Sequence, residues 1–423
     1  MNYQKIETFI LNNISFDNYD YVIFDESQYY FSDSTFNIKT DLSFKRMIKD
    51  NTICKILLTA TPRILENYFK SNDIIIDYKY ELSTDYSYIR NITAFSTYES
   101  IDSIIEDIPQ EEQILLFTSA KRALEISKKH NGAFICSQYN QYYDKYVKDT
   151  ENEEERTNII ENGEFKNHLL CITTALDNGV NVKEGTPVKH IIIDIFDPDE
   201  FIQCLGRKRI GEGESINLYF YNYKDNRRIN GFKSKITNSL ERADYLLDHG
   251  QEEYVKHKFK NERFTDTRII DDILNTDNSI KKVVNECMYT KYQEDLILYN
   301  AILSKKNNFN YKNMIATALS VDKTFILELE TTTEIMSLEE LLKEITGQKL
   351  YKDKQKELIE FIDLRQDRKQ LKSPNSFNAS FKEQGIPYVI DVPKTKTYRD
   401  ENGKVKREKS YWIVGKIIYN VDK

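Results

Sequence analysis

Tyr21-Val-Ile-Phe-Asp-Glu-Ser-Gln28 is the stretch whose residue types and spacing most readily do chemistry. An apolar run of Val22, Ile23 and Phe24 stops at two adjacent carboxylates, Asp25 and Glu26. A buried parallel strand delivers acidic side chains to the carboxyl edge of an α/β sheet in this way. There one carboxylate can hold a hydrated divalent cation while its neighbour orients an attacking water. An aspartate that only caps a strand end leaves the same trace, so the pattern gains meaning from the residues downstream of it. A second apolar run comes after it, Ile53-Cys-Lys-Ile-Leu-Leu-Thr-Ala-Thr-Pro62. Pro62 ends that strand, and the hydroxyls of Thr59 and Thr61 are expected to bond the carboxylate strand beside them.

Further polar clusters need regular elements to position them. Apolar runs predict strands over 92–97, 114–118, 133–136, 169–173, 189–194 and 216–221, with helices over 99–107, 121–130, 151–162 and 199–208. This alternation describes a doubly wound α/β domain with a mainly parallel sheet. Three of its loops carry chemistry. Thr118 and Ser119 follow one strand, and Thr173-Thr-Ala-Leu-Asp-Asn-Gly179 follows another. There Gly179 would let backbone approach a phosphate, with Thr174 and Asp177 as polar contacts. Gln203-Cys-Leu-Gly-Arg-Lys-Arg209 lies on and after the last predicted helix, and its guanidinium groups stay charged at any ordinary pH.

In their order along the chain these clusters resemble motifs II to VI of superfamily 2 helicases, the DEAD/DEAH-box class, over about residues 1–222. The resemblance implies ATP and Mg2+ as cofactors, with Asp25 holding magnesium and Glu26 acting as catalytic base. It implies that Gln28, Thr59 and Thr61 couple hydrolysis to lobe movement. Gln203 and an arginine finger would reach the γ-phosphate. Ile210 stands where the family's second arginine is expected, which leaves Arg207 and Arg209 both open as the finger. Thr118, Ser119, Thr173, Thr174, Asp177 and Gly179 would touch nucleic acid.

The family's phosphate-binding pattern, Gly-x-x-x-x-Gly-Lys-Ser/Thr, is not found among the 423 residues. Beside the resemblance, this implies that the chain starts inside its first lobe and that an upstream polypeptide completes it. The expected fold is therefore α/β with two RecA-like lobes, the first incomplete (1–85) and the second complete (86–222). A helical connecting domain (223–335) and a winged-helix-like basic domain (336–423) are expected to follow. In the last, Tyr388-Val-Ile-Asp-Val392 and Ser410-Tyr-Trp-Ile-Val414 flank a basic connection with a turn at Glu401-Asn-Gly403. Lys404, Lys406 and Arg407 at that turn would grip phosphate.

Composition bounds these readings. Lys and Arg number 60 against 68 Asp and Glu, a net charge of −8, so nucleic-acid contact has to come from local patches. DNA is the first expectation, ahead of RNA. The five cysteines stand singly with no Cys-x-x-Cys pair, which predicts free thiols in a reducing, cytoplasmic setting. No apolar run is long enough for a bilayer and no histidine spacing suggests a metal site, so neither membrane nor structural zinc is expected. A nucleic-acid-binding or regulatory module without its own ATPase is the alternative function.

Overall fold

The structure is a computed structural model. It describes residues 3–12, 19–35, 39–49, 53–148, 150–174, 181–261, 264, 266–274, 278–304, 309–329, 338–366, 369–383, 386–394, 397–399, 405–407 and 410–417. The chain forms two compact units, residues 1–330 and 331–423.

The first unit opens with helix α1 (Tyr3–Leu11) and strand β1 (Tyr21–Phe24). Helices α2 (Tyr29–Ser32) and α3 (Thr40–Lys49), strand β2 (Cys54–Leu57) and helix α4 (Arg63–Ser71) complete this opening part. β1 and β2 form a two-stranded parallel sheet, with Ile23 opposite Ile56. Its inward face, led by Phe24, packs on Ile6, Phe44, Met47, Ile64 and Leu65 from the three longer helices. The other face is open: Tyr21 is 64% and Ile23 62% exposed. The expectation of a fully buried carboxylate strand is thereby corrected. Two strands covered by helices on one side bury alternate residues only.

The chain then alternates strand and helix, except that β7 follows β6 directly among the described elements. In order come β3 (Ile89–Phe95), α5 (Glu99–Asp107), β4 (Gln113–Phe117), α6 (Ala120–Lys129), β5 (Ala133–Ile135), α7 (Glu151–Asn162), β6 (Leu169–Ile172), β7 (Val188–Ile193), α8 (Pro198–Gly206) and β8 (Ile216–Tyr221). These strands coincide with the predicted ones to within a few residues. All pair in parallel, and consecutive residues of one strand enter opposite cores. Leu115 and Phe117 face one core, while Ile114 and Leu116 face the other. A sheet buried on both faces explains why its strands read as unbroken apolar runs.

Beyond residue 222 the helical prediction holds only in part. Helix α9 (Asn226–Lys260) bends where Gly250 takes φ 75° and ψ 171°, a backbone shape that glycine adopts without strain. A hairpin, β9 (Ile270–Leu274) and β10 (Ile280–Val284), then lies within the region expected to be helical. Helix α10 (Glu286–Leu303) and helix α11 (Tyr311–Ala318) follow. Strand β11 (Ile326–Glu328) returns to pair in parallel with β3, so the large sheet has seven strands in the order β11-β3-β8-β7-β4-β6-β5.

The second unit contains α12 (Leu338–Glu344), α13 (Lys352–Ile362), the short pair β12 (Arg365–Gln366) and β13 (Lys369–Gln370), and α14 (Pro374–Glu383). After them β14 (Tyr388–Asp391) pairs antiparallel with β17 (Ile413–Lys416). Between these lies the hairpin of β15 (Thr397–Arg399) and β16 (Val405–Arg407). Phe377, Phe381, Trp412 and Val414 are buried in its core.

Candidate functional site

The turn after β1 is built around Glu26, which holds φ 51°, a left-handed value uncommon for a residue with a side chain. Its backbone N–H donates to Asp25 Oδ1 at 3.1 Å, and its carboxylate accepts from Gln28 Nε2 at 2.5 Å. The Tyr3 hydroxyl donates to the Asp25 carbonyl oxygen. Both carboxylates are solvent-exposed, so Asp25 can take a hydrated magnesium ion without a cage of protein ligands. No described group of three or more His, Cys, Asp and Glu gathers to hold a metal by itself.

Ser27, and not a threonine, ties this turn to β2. Its N–H and its hydroxyl both donate to the Leu58 carbonyl, at 2.8 and 3.1 Å. The expectation that the threonine hydroxyls bond the carboxylate strand is thus corrected. Thr59 Oγ1 instead accepts from the Thr61 N–H at 3.0 Å, a local turn bond of the kind threonine favours after a strand.

Gln28, Thr61 and Gln203 come together although they lie far apart in sequence. With Phe31, Ile64, Glu200 and Lys291 they line a small cavity between the opening part and α8, with room for about one water molecule. Gln28 Oε1, Thr61 Oγ1 and Gln203 Nε2 are buried there without a hydrogen-bond partner. Two acceptors and a donor around one water-sized space suit a bridging water, since buried polar atoms left alone are costly.

A charged network beneath this cavity was missed in the sequence. Asp197 caps α8 by accepting from the N–H groups of Asp199 and Glu200 at 2.8 and 3.1 Å, with Pro198 opening the helix. Lys291 of α10 reaches Asp197 and Asp295, each at 2.5 Å. Arg63 of α4 bridges Asp199 at 3.1 Å and Glu294 at 2.9 Å. α10 is also fixed at its start, where Asp41 of α3 accepts from the N–H groups of Glu286 and Cys287. One helix thus clamps the opening part to the large sheet. The i,i+4 pair Lys291 and Asp295 was legible as a helical ion pair, but Asp197 stands 94 residues away.

These neighbours set the protonation of the acids. Burial opposes the charge on Asp197, but Lys291 outweighs it and holds the carboxyl below its ordinary range. Glu200 forms no ion pair among the described residues. Burial, reinforced by the negative charge of Asp197, pushes it up to about 8. Asp295 is pushed up to about 6, chiefly by burial.

The basic run after α8 divides by direction. Lys208 is buried, donating to the Lys183 and Arg209 carbonyl oxygens at 2.9 and 2.8 Å and pairing with Glu214 at 3.2 Å. Arg207 is half-buried and Arg209 exposed, and neither has an ion pair among the described residues. The Arg207 carbonyl and the Arg209 N–H both bond Val182, which fixes the backbone between them.

The expected nucleic-acid contacts fare unevenly. Thr118 is buried and donates its hydroxyl to Asp194 at 2.8 Å, leaving Ser119 as the exposed member of that pair. Thr173 is buried and Thr174 exposed at the end of β6. Asp177, Gly179 and Lys404 lie outside the described residues. Lys406 and Arg407 belong to β16, and their side chains lie outside the described ones. Cys54 is exposed, the other four cysteines are buried, and all five are free. No helix among the described residues is long and apolar enough to cross a membrane.

The fold is that of an α/β protein with a doubly wound, seven-stranded parallel sheet. Searches against protein-family models and curated proteins find no match. Among solved structures the chain is similar to S. cerevisiae Dbp5 bound to RNA and ADP BeF3, at 13% identity and TM-score 0.38, covering 51% of this chain and 57% of that one. It is similar to Mycobacterium smegmatis helicase Lhr bound to ssDNA and AMP-PNP, at 12% identity and TM-score 0.36, covering 71% and 45%. A DEAD box protein from Methanococcus jannaschii matches at 15% identity and TM-score 0.29, covering 54% and 61%. The matched part thus spans little more than half of Dbp5. At these identities and TM-scores the likenesses assign no role to any residue here.

Proposed function

We propose that this chain is the core of an ATP-dependent nucleic-acid helicase or translocase of the superfamily 2 type. The observation that carries the reading is the convergence of Gln28, Thr61 and Gln203 on one water-sized cavity. Residues from three separate stretches line it, each with a buried polar atom that lacks a hydrogen-bond partner, between two parts of the fold that hydrolysis would move against each other.

Bound Mg-ATP would supply a polarised γ-phosphate for transfer to water. Asp25 would hold the hydrated ion. Glu26, oriented by Gln28, takes the proton of the attacking water. Arg207 or Arg209 offers a guanidinium to the phosphate charge, and Thr59 and Thr61 transmit the change to α4. Ser119 and Thr174 contact phosphates of the strand, with Thr118, Thr173, Asp177 and Gly179 shaping the same loops. Lys404, Lys406 and Arg407 add phosphate contacts from the second unit, read as winged-helix-like. Residues 1–85, 86–222, 223–335 and 336–423 serve as the corresponding functional parts.

The test is ATP hydrolysis by the purified chain with and without single-stranded DNA, beside Asp25→Ala. DNA-stimulated turnover that falls by at least about a hundredfold in the variant is expected. DNA binding without turnover in either protein would favour a binding module that lacks its own ATPase.

A further inference from the structure

The loop leaving β5 presents aromatic rings to solvent in a way that the motifs above do not explain. It runs Cys136-Ser-Gln-Tyr-Asn-Gln-Tyr-Tyr-Asp-Lys-Tyr-Val147 and contains four tyrosines. Two turn inward: Tyr143 and Tyr146 are half-buried, pack on the core that holds Phe134 and Val147, and lie 6.5 Å apart. The other two, Tyr139 and Tyr142, are 77% and 79% exposed. Within residues 86–222, Ile160 at 58% is the only other large apolar side chain described as exposed. Solvent-facing rings are therefore concentrated on this loop.

The rings are held out by an ordered backbone. Ser137 Oγ accepts from the Tyr139 N–H at 3.3 Å, and Asn140 Oδ1 accepts from the N–H groups of Tyr142 and Tyr143, both at 3.2 Å. Asp144 pairs with Arg156 at 2.7 Å, and Val147 is fully buried at the loop's far end. A loop fixed in this manner loses little entropy when a ligand covers its tyrosines, whose rings turn about only two torsions. The loop's one acid is neutralised by Arg156. Lys128 and Lys145 stand 4.7 and 5.1 Å from the Tyr146 ring, in a cleft of mixed charge that they share with Lys166, Glu151, Glu154 and Glu155.

Topology supplies the remaining constraint. β4, β5 and β6 are parallel, so their carboxyl ends share one edge of the sheet. The tyrosine loop leaves β5 at the edge where Ser119 follows β4 and Thr174 follows β6. Hydroxyls suited to phosphates thus share an edge with rings suited to bases.

We propose that Tyr139 and Tyr142 form a stacking platform for unpaired bases of a single-stranded nucleic acid whose phosphates follow this sheet edge. The assignment rests on the nucleic-acid reading above and adds a contact to the bases themselves. Stacking of this kind tolerates any sequence, because every base has a π face.

The experiment measures binding of the full chain to labelled oligo(dT) and to an abasic strand of equal length, by fluorescence anisotropy. Wild type, Tyr139→Ala/Tyr142→Ala and Tyr139→Phe/Tyr142→Phe are compared. The Ala pair should bind oligo(dT) roughly tenfold or more weakly and the abasic strand unchanged, and the Phe pair should match wild type. Equal losses on both strands, or no loss on either, would overturn the platform while leaving nucleic-acid binding intact. The second of those results is the one expected if the rings await a protein surface. Wild type that binds neither strand would overturn both the platform and the reading it rests on.

Discussion

Ile23 of β1 and Ile192 of β7 sit inside parallel strands of similar apolar sequence, yet the first is 62% exposed and the second 0%. The large sheet lies between two helical cores, so residues of its central strands β4, β6 and β7 meet a covered face on either side. The small sheet has helices on one side only, and Tyr21, Ile23, Ile56 and Leu58 remain in water on the other. Apolar strand sequence therefore reports how many faces a sheet is able to bury, and not how many are buried in a given chain. It also shows what holds the small sheet in place. With two strands it cannot secure itself, and α10 joins it to the large one through Cys287, Glu286, Glu294 and Lys291.

The strongest way to break this arrangement is to remove the charge at its centre. Lys291→Met keeps the side-chain volume but leaves Asp197 and Asp295 buried without their cation. Loss of one partner from a buried charge cluster destabilises by about 3–5 kcal/mol. Chemical denaturation at pH 7 should show that deficit. It should shrink toward pH 5, where Asp295, already pushed up to about 6, takes up a proton. A variant as stable as wild type at pH 7 would mean that α10 does not clamp the two sheets.

Much of the large sheet was legible, because its central strands are apolar runs closed by polar loops. α5, α7 and β8 fall on their predicted residues. The failures have physical causes. β9 and β10, Ile-Asp-Asp-Ile-Leu and Ile-Lys-Lys-Val-Val, put paired charges in mid-strand on an exposed hairpin, so no period-two alternation marks them. β11 is three residues long and depends on a partner more than two hundred residues away. At the site, Gln28, Thr61 and Gln203 were found by motif, but Arg63 and Lys291 were not. The partners of Arg63, and the contact of Lys291 to Asp197, are set by tertiary contacts that no local pattern reveals.

An intermediate effect tests the cleft itself. Glu200 lines the cavity with Gln203, and burial beside Asp197 pushes it up to about 8. The folded protein therefore holds a proton on Glu200 that the unfolded chain releases near the ordinary glutamate range. This group's contribution is complete below that range and is lost as pH rises through about 8. Glu200→Gln mimics the protonated form. Relative to it, wild type should lose roughly 1–3 kcal/mol between pH 5 and 9, read from denaturation midpoints. Parallel pH profiles would place the Glu200 carboxyl in water.

The smallest expected effect concerns the open face. If helices cover the small sheet on one side only, Ile23→Thr keeps a β-branched strand residue and removes no packed neighbour, so stability should stay within about 0.5 kcal/mol. A loss of about 2 kcal/mol or more, growing with protein concentration, would mean that a second copy of the chain covers this face in solution. The contrast between Ile23 and Ile192 would then belong to the isolated chain and not to the assembled protein. The concentration dependence of this one variant is therefore the sharpest measure of whether the face is free.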